Sequence, residues 1–265
     1  MKLLFLTSIL FMTMIQTHSS EPLIVAHRGA SADAPENTIP AFELAWEQGA
    51  DAIEGDFYLS KDGHIVCIHD KNTKKVAGKN RVVKDSTLKD LRRLDVGSFH
   101  SKKYKGAIIP TIAEVFSTIP DGKKIYIEVK CGKEIIPTLL KEIRASGLVD
   151  DQIVVISFDE EVIQEIKTKA PQFKANWLAS FKKDGSGNIT PKLETVLSTL
   201  KQINANGFSS NHKLITQSFI KSIRDQGFEY HVWTVDDVKT AKRLQQWGAL
   251  SITTNVPGFL INQRP

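Results

Sequence analysis

The chain has 265 residues, of which 41% are hydrophobic and 25% are charged, and its formal net charge is +5. This composition is typical of a globular protein and excludes a chain that is mainly disordered, fibrous or built of membrane spans. The length allows either one large α/β domain or two small domains, because barrel domains reach about 250 residues.

The beginning of the chain differs in composition from the rest. Lys2 is the only charged residue in residues 1–20, and an apolar core runs from Leu3 to Ile15. This pattern predicts a secretory signal peptide over residues 1–20, followed by a single domain over residues 21–265. An uncleaved membrane anchor is the alternative, but a bilayer span needs roughly 20 apolar residues. We therefore expect an exported protein, periplasmic or secreted, with no membrane span after signal cleavage.

Short β-branched runs then alternate with helical patterns along the chain. The first helix is predicted to begin at Thr38-Ile39-Pro40, and Gly147 is predicted to end a later one. Eight strands are predicted, over residues 23–26, 52–56, 125–129, 153–156, 175–178, 207–209, 230–233 and 250–253. Strict alternation of this kind is typical of a (β/α)8 TIM barrel. A doubly wound open sheet is the alternative, but the glycine-rich phosphate loop that such a sheet usually carries is absent from the sequence.

The alternation is interrupted after the second strand, where we predict a small insertion over about residues 57–108. Two β-like runs flank Asp62-Gly63, which is a strong signal for a two-residue hairpin turn. Such a turn would set Asp56 directly opposite His69, and opposite side chains lie about 5 Å apart at Cβ. The hairpin therefore predicts that Glu54, Asp56 and His69 converge.

The insertion is strongly basic. The stretch from Lys71 to Lys105 holds twelve lysines and arginines, few aromatic residues, and one predicted helix through Leu88, Leu91 and Leu94. A nucleic-acid interface would combine a basic face with stacking rings. We therefore predict a solvated insertion and no nucleic-acid partner, although its positive field can steer anionic substrates.

The sequence contains two cysteines, Cys67 and Cys131. An exported protein can join them in a disulfide, and the sequence leaves both states open. Neither belongs to a CxxC pair, which disfavours a zinc–thiolate site.

Charged residues gather at the predicted carboxyl ends of the strands, where barrel enzymes hold their active sites. Residues two apart on a strand point the same way, so Glu54 and Asp56 form one inward pair, and Glu128 and Lys130 another. Three carboxylates without a His/Cys ligand cluster suit Mg²⁺ or Ca²⁺ rather than Zn²⁺. The alternative is a structural network in which Arg28 and Lys130 neutralise the carboxylates.

Two histidines complete this candidate site. His27 and His69 can exchange protons near neutral pH, and beside the fixed cations Arg28 and Lys130 they match a phosphate ester as substrate. Trp233 ends a later strand, where it is either a core residue or a ligand contact.

Short motifs follow one another in order along nearly the whole predicted mature chain. They are His27-Arg28-Gly29, Pro35-Glu36-Asn37-Thr38, Glu54-Gly55-Asp56, Asp62-Gly63, His69-Asp70, Ile109-Pro110-Thr111, Glu128-Val129-Lys130, Trp233-Thr234-Val235 and Thr253-Thr254-Asn255-Val256-Pro257. This order resembles the glycerophosphodiester phosphodiesterase family, although Asn255 stands where many members have an aspartate.

The resemblance implies a metal-dependent barrel enzyme that hydrolyses small glycerophosphodiesters to sn-glycerol 3-phosphate and an alcohol. The implied metal ligands for Ca²⁺ or Mg²⁺ are Glu54, Asp56 and Glu128. The implied acid/base pair is His27 and His69, in either order, and the implied substrate-binding residues are Arg28, Lys130 and Trp233. The glycerol 2-hydroxyl would attack phosphorus, and the resulting cyclic 1,2-phosphate would then be hydrolysed.

Three other functions are possible in principle. A lysophospholipase D or a sphingomyelinase D-like enzyme would need an apolar entrance for an acyl chain, whereas the insertion is basic. A retaining glycosidase needs two carboxyl groups about 5 Å apart and leaves the histidines and cations unexplained. A non-catalytic binding protein for phosphorylated alcohols would not need both histidines.

Overall fold

The computed structural model describes residues 21–264, so the predicted signal peptide over residues 1–20 lies outside the described part of the chain. The strands are β1 (Leu23–His27), β2 (Ala52–Leu59), β3 (Ile65–Cys67), β4 (Lys124–Val129), β5 (Ile153–Ser157), β6 (Lys174–Ala179), β7 (Lys182–Lys183), β8 (Ile189–Thr190), β9 (Gly207–Asn211), β10 (Glu229–Trp233) and β11 (Ser251–Thr254).

Eight of these strands form a closed parallel barrel in the order β1-β2-β4-β5-β6-β9-β10-β11. Closure is direct, because β1 pairs in parallel with both β2 and β11. The predicted TIM barrel is thus confirmed, and the alternative of an open doubly wound sheet is wrong. The two remaining pairings are local: β3 adds to β2 as an antiparallel edge, and β7 pairs only with β8.

Helices surround the barrel or lie in its connections. They are α1 (Ile39–Glu47), α2 (Lys74–Ala77), α3 (Leu88–Leu91), α4 (Ile112–Phe116), α5 (Ile136–Ser146), α6 (Glu160–Lys169), α7 (Leu193–Gln202), α8 (Gln217–Asp225), α9 (Val238–Trp247) and α10 (Pro257–Ile261). Helix α5 buries Leu139 and Ile143 against the barrel and ends at Gly147 in the left-handed conformation, as the sequence predicts. Among residues 21–264, no helix has both the length and the apolar character that a membrane crossing requires.

Both faces of the barrel sheet are buried, as parallel sheets require. The large core between strands and helices includes Phe42, Ile125 and Phe208, each of which is fully buried. A smaller apolar cluster inside the barrel includes Val25, Val154 and other inward residues of five strands.

The hairpin between β2 and β3 differs from the prediction by one residue in register. Phe57 pairs with Cys67, and the Ile68 N–H donates to the Asp56 carbonyl at 2.8 Å. Ile68 therefore lies opposite Asp56, and the predicted pairing of Asp56 with His69 is wrong.

The register differs because the turn contains three residues rather than two. The Ser60 N–H donates to the His64 carbonyl at 2.8 Å, and the His64 N–H donates back to the Ser60 hydroxyl at 2.9 Å. Gly63 adopts φ +82° inside this loop, which glycine does without steric cost. The hydroxyl of Ser60 also donates to Asp62, so side-chain bonds stabilise the longer turn.

The segment that follows has a small apolar core of its own. Its buried members are Val66, Ile68, Val76, Val83, Leu91, Leu94, Val96 and Ile109. The helix predicted through Leu94 ends at Leu91, and the chain turns again at Asp95, whose carboxylate accepts from the Gly97 and Ser98 N–H groups.

Both cysteines are free thiols in this structure. Cys67 is buried, and its Sγ donates to Asn37 Oδ1 at 3.1 Å. Burial raises the pKa of both thiols, of Cys131 to about 11, so each is protonated at neutral pH.

Candidate active site

A cavity of about 670 Å³, including its open mouth, lies at the carboxyl ends of the barrel strands. Seven of the eight predicted site residues line it: His27, Arg28, Glu54, His69, Glu128, Lys130 and Trp233. The eighth, Asp56, is 1% exposed and lies beside Glu54 and Glu128. The structure therefore brings all eight residues together at the end of the barrel where such folds carry their chemistry.

Three carboxylates form the centre of the site. Glu54, Asp56 and Glu128 each present one oxygen, and these oxygens lie within 4.8 Å of one another. Strand register explains the proximity, because Asp56 on β2 pairs with Glu128 on β4 and Glu54 points the same way two residues earlier. Glu54 Oε2 accepts from the Arg28 N–H at 2.9 Å, whereas Glu54 Oε1 is buried without a partner among the described residues.

The pKa values show that these carboxylates repel one another. Burial, reinforced by Asp56 and Glu128, raises the pKa of Glu54 well above its usual range. Burial and repulsion by Asp56 raise the pKa of Glu128 to about 7. For Asp56, burial is outweighed by the cations Arg28 and Lys130, which lower its pKa. A divalent cation fits this hard oxygen set and would relieve the repulsion.

The two cations contact the same carboxylates. Arg28 Nε lies 3.1 Å from Asp56 Oδ2, and Lys130 Nζ lies 2.6 Å from Glu128 Oε1 and 3.3 Å from Asp56 Oδ1. Arg28 Nη1 donates to Glu36 Oε1 at 3.2 Å. The side chains of Arg28 and Lys130 are each 15% exposed and line the cavity, so they neutralise the carboxylates and also face an incoming ligand.

Two non-glycine residues that help to hold this arrangement adopt left-handed backbone conformations. Arg28 has φ +57° and Asn37 has φ +59°. The Asn37 amide donates to Asp56 Oδ2 at 2.8 Å, and its carbonyl accepts from the Asp56 N–H at 3.1 Å. Such conformations cost on the order of 1–3 kcal/mol and concentrate at functional sites, where surrounding contacts maintain them.

His27 is held in one tautomer by residues from distant parts of the chain. Its Nδ1 lies 2.7 Å from Asn255 Oδ1, and Asn255 Nδ2 donates to Asp236 Oδ2 at 2.7 Å. A carboxylate only accepts, so Asp236 fixes the orientation of the Asn255 amide, and His27 Nδ1 must be the donor. Burial, followed by the charge of Arg28, lowers the pKa of His27 to about 4. His27 is therefore neutral at pH 7, with a lone pair on Nε2.

His69 has a different environment at the cavity wall. Its Nδ1 donates to Asp70 Oδ1 at 2.8 Å, and its side chain is 32% exposed. The carboxylate of Asp70 therefore orients the ring and leaves Nε2 as the ring nitrogen that does not contact Asp70.

Aromatic rings border the mouth of the cavity. Trp233 and Phe158 meet edge to face with ring centroids 5.8 Å apart, and Phe158 is 46% exposed. Trp233 packs against the apolar cluster inside the barrel, as a core residue would, and it also lines the cavity, where its contact with a ligand stays a prediction.

Several cavity residues were absent from the sequence prediction. Phe158 directly follows β5, which is the position that could have indicated it. Asp236, which orients Asn255 from outside the cavity lining, lies three residues after the end of β10. Asn176 interrupts an otherwise apolar strand at an inward position, and a polar residue at that point is the signal that was missed.

A closed barrel with three carboxylates, two imidazoles and two cations at its carboxyl end defines a hydrolase of phosphate esters. The model of the glycerophosphoryl diester phosphodiesterase family matches residues 27–259. The chain belongs to this family, whose enzymes are phosphoric diester hydrolases.

Known relatives match nearly the full length of the chain. A glycerophosphodiester phosphodiesterase of Caldanaerobacter subterraneus is 33% identical over 245 residues, covering 91% of this chain and 96% of the relative. One from Bacillus subtilis is 30% identical and covers 89% of this chain and 84% of the relative. The solved glycerophosphodiester phosphodiesterase of Thermotoga maritima is 25% identical, with a TM-score of 0.75 over 93% of this chain and 100% of the neighbour.

A second solved structure shows the same fold. It is a phosphodiesterase from Oleispira antarctica in complex with the product sn-glycerol-3-phosphate, with 23% identity and a TM-score of 0.82. The match covers 91% of this chain and 96% of that protein.

Proposed function

We propose that this enzyme uses a divalent cation, Ca²⁺ or Mg²⁺, to hydrolyse glycerophosphodiesters to sn-glycerol 3-phosphate and an alcohol. The observation that carries the proposal is the group of oxygens from Glu54, Asp56 and Glu128 within 4.8 Å. One of these carboxylates, Glu54, has a buried oxygen without a partner in the described part of the chain. The Oleispira antarctica neighbour, which binds sn-glycerol-3-phosphate, supports the choice of product.

The three carboxylates would hold the cation. The cation would act as a Lewis acid and offset the negative charge of the phosphate. Arg28 and Lys130 face the same cavity and would bind the non-bridging phosphate oxygens, as fixed cations do for developing charge in a transition state. Trp233 would pack against the glycerol or the departing alcohol at the mouth.

The two histidines would divide the proton transfers between them. His27 is neutral with a free Nε2, so it would take the proton of the glycerol 2-hydroxyl as the oxygen attacks phosphorus. His69, oriented by Asp70, would give a proton to the departing alcohol. The cyclic 1,2-phosphate would then be opened by water, with the two histidines exchanging roles.

We also propose that the enzyme is exported to the periplasm or secreted. The apolar stretch from Leu3 to Ile15, which follows a single charge at Lys2, supports this localisation. Small polar glycerophosphodiesters are then its substrates outside the cytoplasm, and no nucleic-acid partner is expected.

Release of choline from glycerophosphocholine tests the metal requirement. We expect turnover with Ca²⁺ or Mg²⁺, loss of turnover in EDTA, and recovery when the metal is added back. Metal should also raise the melting temperature of the wild-type enzyme, because it binds only the folded state. Glu54→Gln should lose both effects while remaining folded, and full activity in EDTA would rule out the metal-dependent reaction.

Two further measurements test the proton transfers. His69→Ala should lower kcat by about 100-fold or more, in keeping with general acid catalysis, with an unchanged melting temperature. A substrate whose glycerol 2-hydroxyl is replaced by hydrogen should bind but not turn over. Its hydrolysis at the normal rate would refute attack by the neighbouring hydroxyl.

A further inference from the structure

The side chain of Asn176 is a buried amide that has no hydrogen-bond partner within the described chain. Asn176 lies on β6, points into the barrel, lines the same cavity as Glu128 and Lys130, and is 0% exposed. Neither its Nδ2 nor its Oδ1 has a hydrogen-bond partner among residues 21–264. Leaving such groups unpaired costs about 1–3 kcal/mol each. A leucine would fill a similar volume without that cost.

The surroundings of Asn176 are apolar or small. Ile156 and Leu178 form the adjacent cavity wall, and Ser209 adds a hydroxyl from β9. Gly207 pairs with Asn176, and a Cβ there would lie 3.0 Å from the amide oxygen and 2.7 Å from Glu229. The glycine thus leaves the amide uncrowded on that side.

The pairing of the barrel strands gives the spacing between Asn176 and the acidic cluster. Glu128 pairs with Ile156, and Ile156 pairs with Asn176, so two strand spacings separate the amide from a proposed metal ligand. Adjacent strands lie about 4.8 Å apart, which gives roughly 10 Å between the Cα atoms. Both side chains point inward and line the same cavity, so a substrate whose phosphate lies at the carboxylates would extend its glycerol group along the wall that contains Asn176.

The hydrogen-bonding capacity of the amide determines which ligand groups it can bind. An uncharged amide offers both a donor and an acceptor, and a hydroxyl satisfies both at once. We propose that Asn176 is a specificity-determining residue that binds the free primary hydroxyl of the glycerol group, remote from the reacting phosphorus. This assignment rests on the proposed function, because it takes the substrate to be a glycerophosphodiester.

The test compares two substrates in the wild-type enzyme and in Asn176→Leu. One substrate is glycerophosphocholine, and the other is its analogue in which hydrogen replaces the primary hydroxyl while the 2-hydroxyl is kept. Sites that bind a substrate hydroxyl reject the analogue lacking it because their own polar groups remain unpaired. For the wild-type enzyme, we expect kcat/KM to be lower for the analogue than for glycerophosphocholine by about 100-fold or more. For Asn176→Leu, we expect the kcat/KM values of the two substrates to differ by no more than about threefold.

Two controls separate binding from folding. Leu178→Met changes the same cavity wall without a polar group and should keep the wild-type preference. Asn176→Leu should melt at the wild-type temperature or above, since it removes an unpaired buried amide. Equal use of both substrates by the wild-type enzyme, or an unchanged preference in Asn176→Leu, would overturn the assignment. Failure of the wild-type enzyme to hydrolyse glycerophosphocholine would instead overturn the proposed function, and this assignment with it.

Discussion

The environments of the two histidines differ although both line one cavity. Burial and Arg28 keep His27 neutral, and Asn255, itself oriented by Asp236, keeps the proton on Nδ1. His69 is one-third exposed and pairs with a carboxylate. These different contacts are the basis for the different roles that we propose for the two imidazoles.

Under the proposed mechanism, the pKa of His27 would set the acidic limit of activity. Because burial and Arg28 lower this pKa to about 4, the base stays active well below the usual histidine value of about 6.5. We expect the acidic limb of the kcat/KM profile of metal-saturated enzyme to lie well below the usual histidine value, because burial and Arg28 lower the pKa of His27. A limb near pH 6.5 would contradict the assignment of His27 as base.

Because the pKa of His27 differs between the folded protein and the unfolded chain, this residue also makes the stability of the protein depend on pH. The unfolded chain protonates His27 more readily than the folded protein does, so the contribution of this residue is complete above pH 6.5 and is lost as the pH falls toward 4. His27→Asn should flatten this part of the stability curve, as measured by urea unfolding at each pH.

The tautomer of His27 depends on Asn255. Asn255→Leu removes the acceptor for Nδ1–H, so the proton can shift to Nε2 and block the base. We expect kcat to fall by about 10- to 100-fold with little change in KM. The ¹⁵N shifts of the His27 ring should report the loss of a single tautomer, and an unchanged kcat would show that Asn255 does not position the base.

The loops between elements, as well as the strands, hold the site in place. Gly29 follows Arg28 with φ +80°, and a Cβ there would lie 2.5 Å from backbone atoms of Ala41 in α1. The first βα loop and α1 are thus in contact at a point where only glycine fits.

Two glycine substitutions distinguish the effect of this contact on stability from the effect of backbone strain alone. Gly29→Ala adds overlap with α1 to the cost of a positive φ, so we expect a loss of about 3 kcal/mol or more and a large loss of activity. Gly63→Ala has a similar φ but no atom within 4 Å of the new Cβ, and should cost about 1 kcal/mol with normal activity. Urea unfolding measures both, and equal losses would show that the overlap is unimportant.

The distribution of charge over the whole molecule is uneven. The segment from Lys71 to Lys105 carries twelve basic and three acidic residues, although the net charge of the chain is only +5. Lys75 of this segment lies 2.7 Å from Glu36, which also contacts Arg28, so the basic segment borders the active site. A positive field at that position attracts anions toward the cavity.

Salt should therefore affect substrates of different charge unequally. We expect kcat/KM for glycerophosphoglycerol, which is anionic, to fall about threefold or more as salt rises from about 20 to 200 mM. Glycerophosphocholine is zwitterionic and serves as the control, with a much smaller change. Equal salt dependence for both substrates would exclude steering by the basic segment.

The sequence by itself determined the alternation of strands and helices and the charged residues at the strand ends. Both follow from local rules, because apolar periodicity marks each element, and parallel strands bring their carboxyl ends to one side of a barrel. The convergence of Glu54, Asp56 and Glu128 needed only this geometry.

The tertiary structure alone decided the details that depend on distant or competing contacts. A three-residue turn with its own side-chain bonds moved Ile68, rather than His69, opposite Asp56. The bond between His27 and Asn255 joins residues that are 228 positions apart. The amide of Asn176, which has no partner among the residues that the structure describes, is recognisable only once the barrel has closed around it. Local spacing carries no information on such contacts, because chain closure determines which groups meet.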